Sequence, residues 1–179
     1  MNIKKPETFE DLLQLQKILD EIVGENRKNG FIPRKRTEMD ILLSLDDEFQ
    51  EWLRELPQKY NFKTWKQKEY SREKELEEFT DCLFFFLQYA NNCDDDSIIF
   101  FKKYYDDSSN ILHLKIKDVI YLFKSRLWDL CIPSCFSSWI EIGYLRGFTR
   151  QEILDTYYKK WQTNMTRINK DWSLDYKKD

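Results

Sequence analysis

The sequence predicts an all-α fold, and three features carry that expectation. Only 4 Gly and 4 Pro punctuate 179 residues, too little turn chemistry for a sandwich or a strand-rich barrel. The chain is rich in Leu, Lys, Glu and Asp, and its apolar residues recur mostly at helical spacing. The length suits one domain with a sizeable core, and 41% hydrophobic with 34% charged residues is the balance of a soluble globular protein. There is no internal repeat, low-complexity tract or second domain, so residues 1–179 read as one unit.

The elements follow in order. Thr8 with Asp11 makes a helix start, and Leu12, Leu15, Leu19, Ile22 and Val23 follow at helical spacing up to Gly24. A polar stretch, Glu25 to Arg36, leads to a second start at Thr37 with Asp40 in the capping-box position. That helix runs to about Pro57 with Leu42, Leu45, Phe49, Trp52, Leu53 and Leu56 along one side, a seam a partner must cover. Gln58 to Tyr70 is basic and aromatic without a period and reads as a loop. Helix three spans about Ser71 to Asn92. Asp94, Asp95 and Asp96 break the pattern, a short element covers Ile98 to Tyr105, and a second break covers Asp106 to Asn110. A helix is expected over Ile111 to Leu130, with Pro133 as a stop or kink before Trp139 to Leu145. Gly147 closes that segment, and Thr149 with Glu152 starts a last helix running from about Arg150 towards Asp171.

Composition excludes several classes of function. The single histidine, His113, rules out HExxH hydrolases and Cys2His2 fingers. Cys82, Cys93, Cys131 and Cys135 lack paired CxxC spacing and read as buried small hydrophobes in a reducing compartment. With 29 basic and 32 acidic residues the net charge is -3, and the basic residues are scattered, so nucleic acid is not an expected partner. The apolar run Cys82 to Leu87 is far short of the roughly 20 residues a bilayer span requires. Glu7 precedes any apolar stretch, which argues against a secretory signal; the expected location is the cytoplasm, without a membrane.

The chemistry concentrates on carboxylates. Glu48 and Glu51 lie three apart on helix two, Glu78 and Asp81 three apart on helix three, so each pair shares one helix face. Four carboxylates on facing helices make a hard oxygen cage suited to Mg²⁺. The Glu78 and Asp81 face runs into CLFFFL, which is apolar all round and therefore buried, and ionised groups at its mouth need a cation or strong donor. Glu55, Glu75 and Glu77 read instead as surface charges. The loop adds Lys63 and Lys66 as cations and Trp65 as a flat ring, either a lid over a ligand or an anchor on the core. On the last helix Lys160, Asn164 and Arg167 share a face, and no Asp or Glu stands between Asp155 and Lys170 to pair with them.

Together these motifs resemble the dimeric all-α dUTPases of the MazG-like, all-α NTP pyrophosphatase superfamily, marked by ExxE followed by ExxD. Here the mark is Glu48-Phe49-Gln50-Glu51 and Glu78-Phe79-Thr80-Asp81, with LQKILD near the start, FKTWK between the pairs, LEEFTDCLFFFL around the second and GFTRQEI...YYKKWQTNMTR near the end. The resemblance spans about residues 12 to 170 and matches little between Cys93 and Ser138. It implies that Glu48, Glu51, Glu78 and Asp81 hold Mg²⁺, that Glu48 or Glu51 prepares the water attacking the β-phosphorus of dUTP to release dUMP, and that dUDP is a further candidate substrate. It implies that Gln16 reads the uracil edge, that Lys63 and Trp65 help close the site, and that Lys160, Asn164 and Arg167 hold the triphosphate or sugar. A homodimer is implied too, and, for a phage-encoded chain, a repressor protein of a mobile genetic island as partner. Three residues depart from the family pattern: Phe84 stands where many relatives have histidine, Trp161 where many have asparagine, and Trp172 where tyrosine is usual. Two alternatives stand beside dUTP hydrolysis: a relative preferring dCTP or several dNTPs, and a non-catalytic helical module binding a regulatory protein.

Overall fold

The computed structural model describes residues 4–23, 34–107 and 114–167. They form seven helices and no strand: α1 (Phe9–Val23), α2 (Glu38–Glu55), α3 (Arg72–Ala90), α4 (Asp95–Asp106), α5 (Ile116–Trp128), α6 (Ile132–Leu145) and α7 (Arg150–Arg167). The all-α expectation holds. None of these helices is long and apolar enough to cross a membrane.

The central element is α3, which packs against α1, α2, α4, α6 and α7, most extensively against α2. Its sequence explains why: Phe79, Cys82, Leu83, Phe84, Phe86 and Leu87 are all buried, so the helix is apolar on nearly every side over its second half. The α2 seam lies against it, with Leu45, Phe49 and Trp52 fully buried as predicted. Aromatic stacks join the layers. Phe49 of α2 stacks on Phe123 of α5 at 3.7 Å, and Phe79 of α3 stacks on Trp139 of α6 at 4.6 Å. The Trp139 indole N–H also donates to the Phe79 carbonyl (3.1 Å). Gly143 makes room for this arrangement, since a Cβ there would stand 3.1 Å from the Phe79 ring.

The first half and the last helix follow the sequence closely. Thr8 and Asp11 cap α1 reciprocally, as do Thr37 and Asp40 at α2 and Thr149 and Glu152 at α7. Gly147, at φ 68°, ends α6 in the left-handed region as expected.

In the middle of the chain the expected breaks are present, but the helix starts and the cysteine burial differ from expectation. The break expected at the acid run separates α3 from α4, and Asp94 closes it as the N-cap of α4, accepting from the Ser97 amide (2.8 Å), so the short element is a full helix that starts at Asp95. Within the expected helix over Ile111 to Leu130, α5 covers Ile116–Trp128; Ile111 and His113 lie outside the described residues. The stop expected at Pro133 falls between α5 and α6, and α6 begins earlier than the expected Trp139; the proline itself lies in its first turn, where a residue has no intrahelical N–H bond to lose. The turn between α5 and α6 is made by Leu130 at φ 58°, an uncommon conformation for a branched residue, closed by the Cys131 amide on the Arg126 carbonyl (2.8 Å). The cysteines also divide: Cys82 and Cys135 are buried, Cys93 is half-buried, and Cys131 is exposed at that turn, contrary to the uniform burial expected.

Candidate active site

The acid pairs lie at the edge of the α2–α3 seam. The capping box at Thr37 fixes where α2 begins, and the burial of Leu45, Phe49 and Trp52 fixes its rotation; Glu48 is then left at the margin facing α3. On α3 the burial of Phe79 and Cys82 leaves Glu78 and Asp81 at the opposing margin. Glu48, Glu78 and Asp81 each bring a carboxylate oxygen within 4.8 Å of the other two. Glu51, one turn further along α2, is exposed and stands outside this group, although its charge raises the pKa of all three.

The electrostatics are those of carboxylates short of positive charge. Burial first, then the neighbouring Asp81, Glu51 and Glu78, pushes Glu48 up to about 7. Glu78 is raised by burial and by Asp81, and Asp81 by burial. The opposing cation is Lys160 of α7, whose ammonium pairs with Asp81 Oδ2 and donates to the Glu77 carbonyl (3.3 Å). The partner that α7 itself does not offer Lys160 thus comes from α3. Three hard, like-charged oxygen donors converging in a half-buried setting fit a divalent cation such as Mg²⁺.

Beside the cluster a cavity of about 310 Å³ opens between α3 and α7. Thr156, Lys159, Lys160, Thr163 and Asn164 form its α7 wall, and Glu73 and Glu77 stand on the α3 wall. Lys160 and Asn164 therefore share one cavity. Arg167 is the last residue of α7, and its side chain is outside the described residues, as is all of Trp172.

Gln16 is elsewhere engaged. It is buried on α1, donates from Nε2 to Asp20 Oδ1 (2.8 Å) and accepts from the Tyr157 hydroxyl (3.2 Å). Gln88 of α3 donates to the same Asp20 oxygen (2.7 Å). Burial raises Asp20 to about 6 against the pull of these bonds. Phe84 packs tilted against the Tyr157 ring at 4.4 Å, and Trp161 donates its indole N–H to the Leu15 carbonyl (2.8 Å), so both departures from the family pattern are built into the packing of α1, α3 and α7.

The loop Gln58 to Tyr70 contains turns and no strand, as read from sequence. Trp65 is 79% exposed, which removes the reading of it as an anchor on the core. Lys63 is half-buried, its amide donating to Asn61 Oδ1 (2.9 Å) and its ammonium lying over the Phe62 ring. Glu75 overturns its surface assignment: it is fully buried and bound by both oxygens to Arg146 (2.6 and 2.8 Å). Spacing carries no signal for that pair, because its partner lies 71 residues away.

No curated protein gives a match to this chain. The sequence model of one family, described as dUTPase, matches residues 8–172, and those limits take in both acid pairs and the cavity-lining face of α7. The chain belongs to the dUTPase family.

Proposed function

We propose that this nucleotide pyrophosphohydrolase splits dUTP, and dUDP as a second substrate, to dUMP at the α2–α3 acid centre with Mg²⁺ as its cofactor. The observation that carries the reading is the convergence of Glu48, Glu78 and Asp81 beside a cavity bearing Lys160 and Asn164. Glu48, Glu78 and Asp81 would hold the metal, with Glu51 as the outer carboxylate. Bound there, Mg²⁺ supplies Lewis acidity towards phosphate oxygens and water. A glutamate of the first pair takes the proton of the attacking water. Glu48 suits that role, since it stands among the converging acids with its pKa brought near neutrality. Lys160 and Asn164, with Arg167 following one turn on, would bind the triphosphate or sugar as point charges and an amide donor. Lys63 and the exposed ring of Trp65 would close over the base. Gln16 would read the uracil edge through the N–H and lone pair that Asp20 and Tyr157 leave unused. The homodimer implied by the resemblance has apolar surface to use, in the exposed Ile99 and Phe100 of α4 and Tyr121 and Trp128 of α5.

The test is product release from dUTP, dUDP, dCTP, dTTP and dATP, each with Mg²⁺ and with EDTA. Mg²⁺-dependent release from dUTP and dUDP, with the others at least about tenfold slower, is expected; equal release from dCTP would move the specificity, and none from any nucleotide would overturn the reading.

A further inference from the structure

We infer that Lys160 is an exchangeable counter-ion, holding Asp81 until a divalent cation takes that carboxylate and then passing its ammonium to the substrate phosphates. This rests on the metal-centre reading above. Three observations carry it.

The first is position. The Lys160 ammonium touches Asp81, whose carboxylate lies within 4.8 Å of those of Glu48 and Glu78 in the converging cluster. A second cation brought onto Asp81 would face that ammonium across a few ångströms, in a half-buried setting where like charges repel strongly. The second is mobility of the bond. Lysine presents a compact charge on a flexible four-carbon stem, unlike the planar fork with which Arg146 grips both oxygens of Glu75. Lys160 takes one oxygen of Asp81 and a carbonyl, and its side chain keeps about a quarter of its surface exposed (27%). The third is a destination. Lys160 also lines the α3–α7 cavity, where Lys159, Thr156, Thr163 and Asn164 offer donors to phosphate oxygens. A short rotation about the stem thus moves the charge from the acid centre to the cavity.

The consequence is a mutual dependence. With Lys160 on Asp81, metal binding has to displace an ammonium, and phosphate binding lacks one donor; each ligand relieves the obstacle to the other.

The measurement is Mn²⁺ binding to the full chain without nucleotide, followed by the EPR signal of the free ion. Lys160→Met is expected to bind Mn²⁺ about tenfold tighter than wild type, Lys160→Arg within about threefold of wild type, and Lys159→Met, a control for bulk charge, within about twofold. The mirror measurement uses inorganic triphosphate in EDTA. Asp81→Asn should bind it at least about fivefold tighter than wild type, and adding Lys160→Met should abolish the gain. Circular dichroism checks that each variant is folded. Unchanged or weaker Mn²⁺ binding by Lys160→Met would overturn the exchange and leave Lys160 as a group that orients Asp81. Failure of the wild type itself to bind Mn²⁺ would instead overturn the metal-centre reading.

Discussion

Glu75 and Asp81 both stand on α3, each met by a cation from the C-terminal part of the chain, yet they differ in what surrounds them. Glu75 has no exposed surface, and Arg146 satisfies both its oxygens while lying over the Tyr60 ring. Asp81 shares one ammonium with two further carboxylates, and burial lifts its pKa. One site is compensated within the chain and the other is not. A buried acid with a complete set of partners holds the fold; a cluster left short of positive charge is prepared for a ligand that brings it.

The sharpest way to break this comparison is to remove a carboxylate from the cluster. Glu48→Gln and Glu78→Gln are each expected to lower kcat for dUTP by about 10²-fold or more, since each removes a proposed metal ligand and Glu48→Gln the proposed base as well. Neither should unfold the protein, because each relieves like-charge repulsion. Steady-state turnover together with thermal melts in EDTA checks both halves. Turnover within a few-fold of wild type would show that the cluster is not the reacting centre.

The opposite change tests the compensated site. Glu75→Ala leaves Arg146 with its side chain 10% exposed and its carboxylate gone, and breaking a buried pair in this way costs about 3–5 kcal/mol. For a domain of this size the thermal midpoint should fall by roughly 6–20 °C. At a temperature where the variant stays folded, kcat should remain within a few-fold of wild type. A large loss of kcat without loss of stability would place Glu75 in the chemistry and erase the distinction.

These two sites also mark what the sequence could and could not disclose. Both acid pairs, the α2 seam and the caps at Thr8, Thr37 and Thr149 depend on spacings of three or four residues, which a single helix imposes locally. The acids therefore came out on facing margins as read, although Glu51 falls outside the converging group. Glu75–Arg146, Lys160–Asp81, Gln88–Asp20 and Tyr157–Gln16 each join residues far apart in the chain and on different helices, and only tertiary packing selects them. Glu75 looks from its spacing like any exposed acid. In the middle of the chain the breaks fall where the acid run and the proline were read, but Asp94 and Pro133 also begin the helices that follow, a role that depends on their position at a first turn.

A smaller effect follows from titration. Glu48, raised to about 7, and Asp20, raised to about 6, bind protons in the folded state that they have lost in the unfolded chain between their ordinary carboxylate range and those values. The folded state then carries more protons, so stability falls as pH rises from about 5 to 8. Glu152, lowered to about 2 by Arg72 and the Thr149 amide, is ionised throughout that window and adds no slope. In EDTA the thermal midpoint should drop by several degrees across it, saturating Mg²⁺ should flatten the drop, and Glu48→Gln should remove most of it. A midpoint that rises with pH in EDTA would mean that the cluster is already compensated, as Glu75 is.

The smallest expected change in stability belongs to Trp65, and it separates packing from ligand contact in the loop between the acid pairs. A tryptophan packed in a core costs about 3–5 kcal/mol to truncate, whereas a surface side chain costs within about 0.5 kcal/mol. At 79% exposure Trp65→Ala belongs with the second, so its melt should overlay that of wild type. The ring's remaining use is against a nucleotide, where stacking of a base on an aromatic side chain contributes roughly 1–3 kcal/mol. A rise in KM for dUTP of about fivefold or more, with kcat changed less, is therefore expected. The same substitution should leave Mn²⁺ affinity without nucleotide unchanged, because the ring is asked to meet the base and not the metal. If KM stayed put as well, the loop would carry an exposed aromatic with no part in binding, and closure over the base would have to be sought in Lys63 alone.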